Sequence, residues 1–348
     1  MNRIQYLDGF RGLAIILVIT YHLFTRWTIL PYGNKYADFI VFYTGWVGVP
    51  LFFMISGFVI LMTLDKSSNF KEFILKRWVR LFPAMLIASI FSYLTSFYLT
   101  ERPIGAAKIE DFIPGLIFIA PSWLSSIFHI QTNVLEGGFW SLFVEVRFYF
   151  LFGSIYFIFG QNWAIKTIIV SFFLSFLSKV LNTRFGSTFT ETTNVFMNEL
   201  GFIHFGWFSV GILTYAYIKE KNIYKLYYAI LMACISILYS FMSHEKSIKV
   251  LIALVAISII FFLPLYSQKI KSFFENKCLL FVGFISYPLY LIHENFIISM
   301  TIKLYKLFPQ IPDLLLPILP VLIIVYISYL ITKYLEPYLA AKIKKLVF

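Results

Sequence analysis

Arg11 and His22 lie eleven positions apart in the apolar run from Tyr6 to Leu23, YLDGFRGLAIILVITYHL. On an α-helix that spacing is about 1100°, roughly 20° past three full turns, so both side chains share a face and stand about 16 Å apart along the axis. An ionisable side chain inside an apolar helix is costly, and its presence points to function ahead of packing. His22 offers an imidazole that can take up a proton or an acyl group near neutral pH. Glu145 and the neighbours His293 and Glu294 place further titratable groups in apolar runs. A carboxylate beside an imidazole fixes its tautomer and stabilises its cation, which is what a general base needs. A plain pairing of Glu145 with Arg147 is the alternative. Arg77 and Arg80 are i and i+3 neighbours on one helix face, where two guanidiniums can grip a phosphate; basic anchors at a membrane interface have the same spacing. Arg11 falls in the first turn of its helix, where a cation opposes the helix dipole, so it calls for a negative partner such as Asp8 or a phosphate.

The elements that must position these residues follow from composition. Of 348 residues 60% are hydrophobic and only 13% are charged, and the mean hydropathy is +0.81. A water-soluble domain cannot bury so much apolar surface. Apolar runs of helical length predict an all-α, polytopic integral membrane protein with ten spans, at about 9–30, 39–64, 81–100, 139–160, 163–181, 201–218, 225–242, 248–266, 278–302 and 313–335. The stretch 112–128 is broken by Pro114, Gly115 and Pro121 and is assigned to a long loop, interfacial or re-entrant. No cleavage site follows the first apolar run, so it is expected to stay as a span. Cys234 and Cys278 lack metal-ligand spacing and are expected as buried packing residues, with no metal site. With ten spans, 18 of the 29 Lys and Arg fall on one side. The positive-inside rule then places both termini in the cytoplasm. The net charge of +12 is accounted for by this bias and by anionic membrane lipid, and gives no argument for a nucleic-acid partner. On this topology Arg11, Arg77 and Arg80 lie at the cytoplasmic side, whereas His22, Glu145 and His293 share one level in the outer leaflet.

A resemblance emerges from five segments read in order. Arg11 with ten residues before His22 is the first. The others are Gly45–Phe58 with Ser56 near its end, the Arg77-x-x-Arg80 pair, Trp140–Tyr149 around Glu145, and Ser286–His293, SYPLYLIH. Together they resemble the motifs of the membrane acyltransferase family 3, which includes bacterial O-antigen, exopolysaccharide and peptidoglycan O-acetyltransferases. The match runs from about Tyr6 to His293. Val146-Arg147 departs from the Glu-Gln that many members carry after the matching glutamate.

The resemblance implies ten spans forming a single membrane-embedded domain over residues 1–348, without the esterase-like domain that some relatives append. It implies a bacterial inner-membrane O-acyltransferase, most simply an O-acetyltransferase. The donor would be acetyl-CoA or another acyl-CoA from the cytoplasm, and the acceptor a hydroxyl of a cell-surface glycan, such as lipopolysaccharide O-antigen, or of its lipid-linked oligosaccharide precursor. The donor set is then Arg11, Arg77, Arg80 and Ser56, and the catalytic set His22, Glu145 and His293. The 16 Å from Arg11 to His22 is similar to the reach of a pantetheine arm, so phosphates held at the arginines would leave the thioester at His22. His22 is then either the base for a sugar hydroxyl or the carrier of the acyl group. Trp140, Tyr149, Tyr287 and Tyr290 are candidates to line the acceptor, since aromatic faces suit sugars. A homo-oligomer is compatible with the sequence. The rival reading is a transporter or flippase for a lipid-linked sugar or small anion, with Arg11, Glu145 and His293 along its path; no pair of broken spans recurs in corresponding halves to support it. Cysteine-accessibility labelling at positions 70 and 110 should find them on opposite sides of the membrane; labelling of both from one side would contradict the topology.

Overall fold

A computed structural model describes residues 4–243 and 246–347. Among the described residues the regular structure is entirely helical, as a lipid environment demands of a chain that is not a closed barrel. The helices, in order, are α1 (Gln5–Tyr21), α2 (Ile40–Thr44), α3 (Gly48–Leu64), α4 (Phe70–Ser96), α5 (Phe112–Ile117), α6 (Pro121–Phe128), α7 (Phe139–Phe159) and α8 (Gln161–Phe185). They continue with α9 (Thr188–Leu200), α10 (Phe205–Glu220), α11 (Ile223–Ser243), α12 (Ile248–Phe262), α13 (Gln268–Phe274), α14 (Lys277–Leu307), α15 (Ile318–Leu330) and α16 (Glu336–Val347). Among the described residues nine helices are long and apolar enough to cross a membrane, or up to eleven if two bent pairs each form one span. The protein is an all-α, multi-pass membrane protein.

The two bent pairs are where the expected boundaries move. The stretch assigned to a loop, 112–128, holds α5 and α6, whose pair is bent by 101°. Phe118, at φ 58°, ends α5, and Pro121 opens α6. The expected span 201–218 is α10, preceded by α9 and bent from it by 65°. The sequence 182–200 reads as a loop because α9 is polar on one face. Locally it is a well-specified helix: Gly186 ends α8 in the left-handed region, and the Ser187 side chain caps Thr190. α4 begins at Phe70, well before the expected span start at 81, so Arg77 and Arg80 lie on the helix itself. Cys234 and Cys278 are exposed, not buried as expected; Cys234 lies on a face of α11 that also presents Leu231 and Leu238.

The chain divides into two compact units. One comprises Met1–Gly48, Arg77–Phe143 and Ser267–Phe348; the other comprises Val49–Lys76 and Val144–Tyr266. In the first, α1 packs on α14 with the two backbones touching. A Cβ on Gly12 would lie 2.4 Å from the carbonyl oxygen of Leu279, and one on Gly283 would lie 1.8 Å from that of Asp8. Small residues allow such approach between apolar helices, where no hydrophobic force distinguishes partner from lipid. The contact also sets the register. His22 follows Gly12 by ten residues and His293 follows Gly283 by ten. Along two helices running in one direction, equal offsets of about 15 Å bring the histidines to the same level. In the second unit, α3 and α10 meet in the same manner, with Gly57 against Phe208 and Gly211 against Met54.

Gly283→Ala should therefore push α1 from α14 at a cost of about 1–3 kcal/mol, the usual range for overpacking. Thermal unfolding of the detergent-solubilised variant measures it. A midpoint equal to that of the wild type would contradict the register argument.

Candidate active site

His22 opens a π-helical turn, His22–Arg26, that ends α1. Such turns widen the helix locally and recur at functional sites. His22 Nδ1 lies 2.8 Å from His293 Nε2, and His293 Nδ1 lies 2.9 Å from the backbone oxygen of Tyr290. A carbonyl oxygen only accepts, so His293 Nδ1 carries a proton. With both rings neutral, His293 Nε2 is then the acceptor and His22 Nδ1–H the donor. The lone pair of the pair as a whole is left on His22 Nε2.

That nitrogen is 3.7 Å from Glu294 Oε1, beyond hydrogen-bond reach but within ion-pair range, so the lone pair is not spent on a donor. Trp27 Nε1–H donates to the same carboxylate oxygen at 2.9 Å. His293 is fully buried and Glu294 nearly so, whereas the side chain of His22 keeps 16% of its exposure. Successive residues on α14 point about 100° apart, so His293 and Glu294 address the His22 ring from two sides. One added proton can sit on either imidazole by a shift along the 2.8 Å bond, and Glu294 faces the resulting cation.

The structure brings His22 and His293 together as catalytic candidates. The carboxylate that serves His22 is Glu294, whereas Glu145 was expected in that role. In the second unit Glu145 accepts hydrogen bonds from the hydroxyls of Ser56 and Tyr149. Ser56, expected at the donor, and Tyr149, expected at the acceptor, thus both serve Glu145. Arg147 donates to the backbone oxygen of Glu199 near the end of α9, where a cation matches the helix dipole; this accounts for the departure at that position. α1 starts at Gln5, so Arg11 stands in the second turn and not in the first as expected; it pairs with Asp8, which does lie in the first turn, at 2.6 Å. Arg77 is half-buried and Arg80 exposed on α4. Among the aromatic candidates, Tyr290 shares a hydrogen bond with Ser141 at 2.9 Å, Tyr287 donates to the Leu81 oxygen at 3.0 Å, and Trp140 is exposed. The bond to Leu81 makes Tyr287 a tie between α14 and α4. No group of His, Cys, Asp and Glu suited to a metal ion occurs among the described residues. Sequence reasoning missed Trp27 and Gly137. A Cβ on Gly137 would lie 2.2 Å from Glu294 Oε2, so any other residue there would have to push that carboxylate aside.

Residues 4–333 match the family described as acyltransferase domain, and the chain belongs to it. A Bacillus subtilis protein provisionally named a peptidoglycan O-acetyltransferase is 31% identical over 158 residues, 42% of this chain and 22% of that protein. The peptidoglycan O-acetyltransferase of Listeria monocytogenes is 26% identical over 166 residues, 44% of this chain and 24% of that protein. A protein of Acidianus two-tailed virus, provisionally named an acetyltransferase, is 36% identical over 88 residues, 25% of this chain and 24% of its own. The matches therefore span less than a quarter of each relative's length. No solved structure matches the chain.

Ring-¹⁵N spectra of the solubilised protein near neutral pH should show His22 and His293 both protonated on Nδ1, assigned through His22→Gln and His293→Gln. An Nε2–H tautomer at His22 would remove the lone pair from the place the hydrogen bonds assign to it.

Proposed function

We propose that the protein is a transmembrane O-acyltransferase, most simply an O-acetyltransferase, that uses cytoplasmic acyl-CoA to acylate a hydroxyl of a cell-surface glycan or its lipid-linked precursor. Both termini would be cytoplasmic and the site would open on the outer side of the bacterial inner membrane. The observation that carries the reading is the His22–His293 pair, with its free nitrogen directed to the Glu294 side. Family membership supports the acyl-transfer chemistry, and the peptidoglycan O-acetyltransferase name borne by the Listeria relative supports a glycan acceptor.

In this reading Arg11, Arg77 and Arg80 hold the phosphates of the donor. His22 Nε2 takes the proton of the acceptor hydroxyl as its oxygen attacks the thioester carbon. The imidazolium is stabilised by Glu294 and by sharing its proton with His293. Collapse of the tetrahedral adduct breaks the C–S bond, and the departing thiolate recovers the proton from His22, giving ester and free coenzyme A.

Two measurements test the separation of chemistry from donor binding. His22→Ala should lower turnover of acetyl-CoA by about 10²–10⁴-fold, the range for a lost acid–base group, with coenzyme A affinity nearly unchanged. Arg77→Ala and Arg80→Ala should each weaken coenzyme A binding by about 1.5–3 kcal/mol, the range for a charge-assisted contact. Near-normal turnover by His22→Ala would overturn the mechanism. Unchanged affinity in both arginine variants would return those residues to anchoring the helix in the membrane.

A further inference from the structure

Glu136 lies just before α7, outside the membrane-spanning helices and outside every motif named above, yet it is only 2% exposed. The Ser92 hydroxyl donates to its Oε1 at 2.7 Å, and the Asn295 backbone N–H donates to its Oε2 at 3.2 Å. Asn295 is the residue after Glu294, so the two carboxylates attach to consecutive positions of α14, and they act on each other electrostatically. The Asn295 side chain further donates to the Leu135 oxygen at 2.9 Å, which fixes the loop carrying Glu136 against α14.

The charged groups around this pair are few. Arg102 is buried, but its guanidinium donates to the Ser92 oxygen at 2.9 Å and to the Leu135 oxygen at 2.5 Å, and it faces Asp111 as well as Glu136. Asp111 is itself buried and accepts from the backbone N–H groups of Asn133 and Lys108 at 2.7 and 2.8 Å. On the far side, Glu294 faces His22, Trp27 and Arg26. One buried guanidinium thus stands against three buried carboxylates. Arg26 is exposed, and two neighbouring carboxylates in a dry site do not both ionise when no second buried cation compensates them.

We propose that Glu136 is a positioning residue for the His22 centre: Glu136 and Glu294 hold one proton between them, carried on Glu136, so that the negative charge stays on the carboxylate facing His22. The assignment follows from what each carboxylate faces. Glu294 has the Trp27 N–H and Arg26, and the imidazole pair once it carries an added proton, which favour its anion. Glu136 has one hydroxyl, one amide and a guanidinium whose hydrogen bonds go to the Ser92 and Leu135 carbonyls. Burial, and secondarily Glu294, pushes the Glu136 acid up to about 7, against the opposing pull of Ser92, Arg102 and Asn295. The part of this inference that concerns turnover rests on the reading of His22 as the base; the protonation of Glu136 does not.

The sign of the pH effect is fixed. A carboxyl held above its unfolded value contributes stability that is full below about 4.5 and is lost as pH rises through about 7. Infrared spectra of the solubilised protein near pH 6 should show the carbonyl band of a buried carboxylic acid. The band should be lost in Glu136→Gln, kept in Glu294→Gln, and lost in the wild type near pH 9. The fall of the thermal midpoint between about pH 5 and pH 8 should flatten in Glu136→Gln, and the alkaline limb of its acetyl-CoA turnover should move to higher pH. A band that survives in Glu136→Gln, or that disappears in Glu294→Gln instead, would overturn the proposal. So would loss of the band with no change in the alkaline limb, since Glu136 would then be structural only. Should Glu136→Gln fail to fold, the Glu294→Gln spectrum alone decides between the two carboxylates. A wild-type protein with the band but no turnover would refute the acyltransferase reading and leave the shared proton standing.

Discussion

The backbone contact between α1 and α14 is the constraint on which the candidate active site depends. At Gly12 and Gly283 there is no room for a single methyl group, so the two helices cannot slide without opening a gap or a clash. Packing of this kind is two-sided: it resists both approach and separation, because dispersion contacts are lost as soon as the surfaces part. Ten residues further on, the same register delivers His22 to His293. A π-helical turn then carries the chain to Trp27, which returns to hold Glu294. One close approach of two helices thus positions the base, its proton-sharing partner and the carboxylate facing their cation.

Around the histidine pair the ring nitrogens and carboxylates are tied by hydrogen bonds, as an apolar environment favours. Tyr290 holds the tautomer of His293, Trp27 occupies an oxygen of Glu294, and Ser92 and Asn295 serve Glu136. Each bond leaves the neighbouring group fewer alternatives. The result is that His22 Nε2 is the nitrogen of the histidine pair left without a proton when both rings are neutral. In the second unit the same logic is turned to a different end, since Glu145 is closed off by two hydroxyls from Ser56 and Tyr149.

Much of this was legible in the sequence because lipid simplifies the code. Long apolar runs mark the spans, and a histidine or arginine inside one stands out against them. The shared face of Arg11 and His22 followed from helical geometry alone, and the expected common level of His22 and His293 agrees with their contact. Glu145 and Glu294 could not be told apart, because both are carboxylates in apolar runs and the choice depends on which helices pack together. Side-chain direction added to this: His293 and Glu294 are adjacent in sequence and still address one ring. α9 escaped because an amphipathic helix carries no strong apolar signal, although Ser187 and Gly201 mark its ends in retrospect. Glu136 had no signal of its own, being an ordinary loop glutamate until the fold covers it.

The central claim is that His22 and His293 act as one proton acceptor. A double-mutant cycle on acetyl-CoA turnover measures this most directly, with His22→Gln, His293→Gln and the double variant compared with the wild type. For a single functional unit the losses do not multiply: the double variant should be no slower than the slower of the two single variants. Losses that multiply independently would show that the two histidines work apart, and would contradict the account.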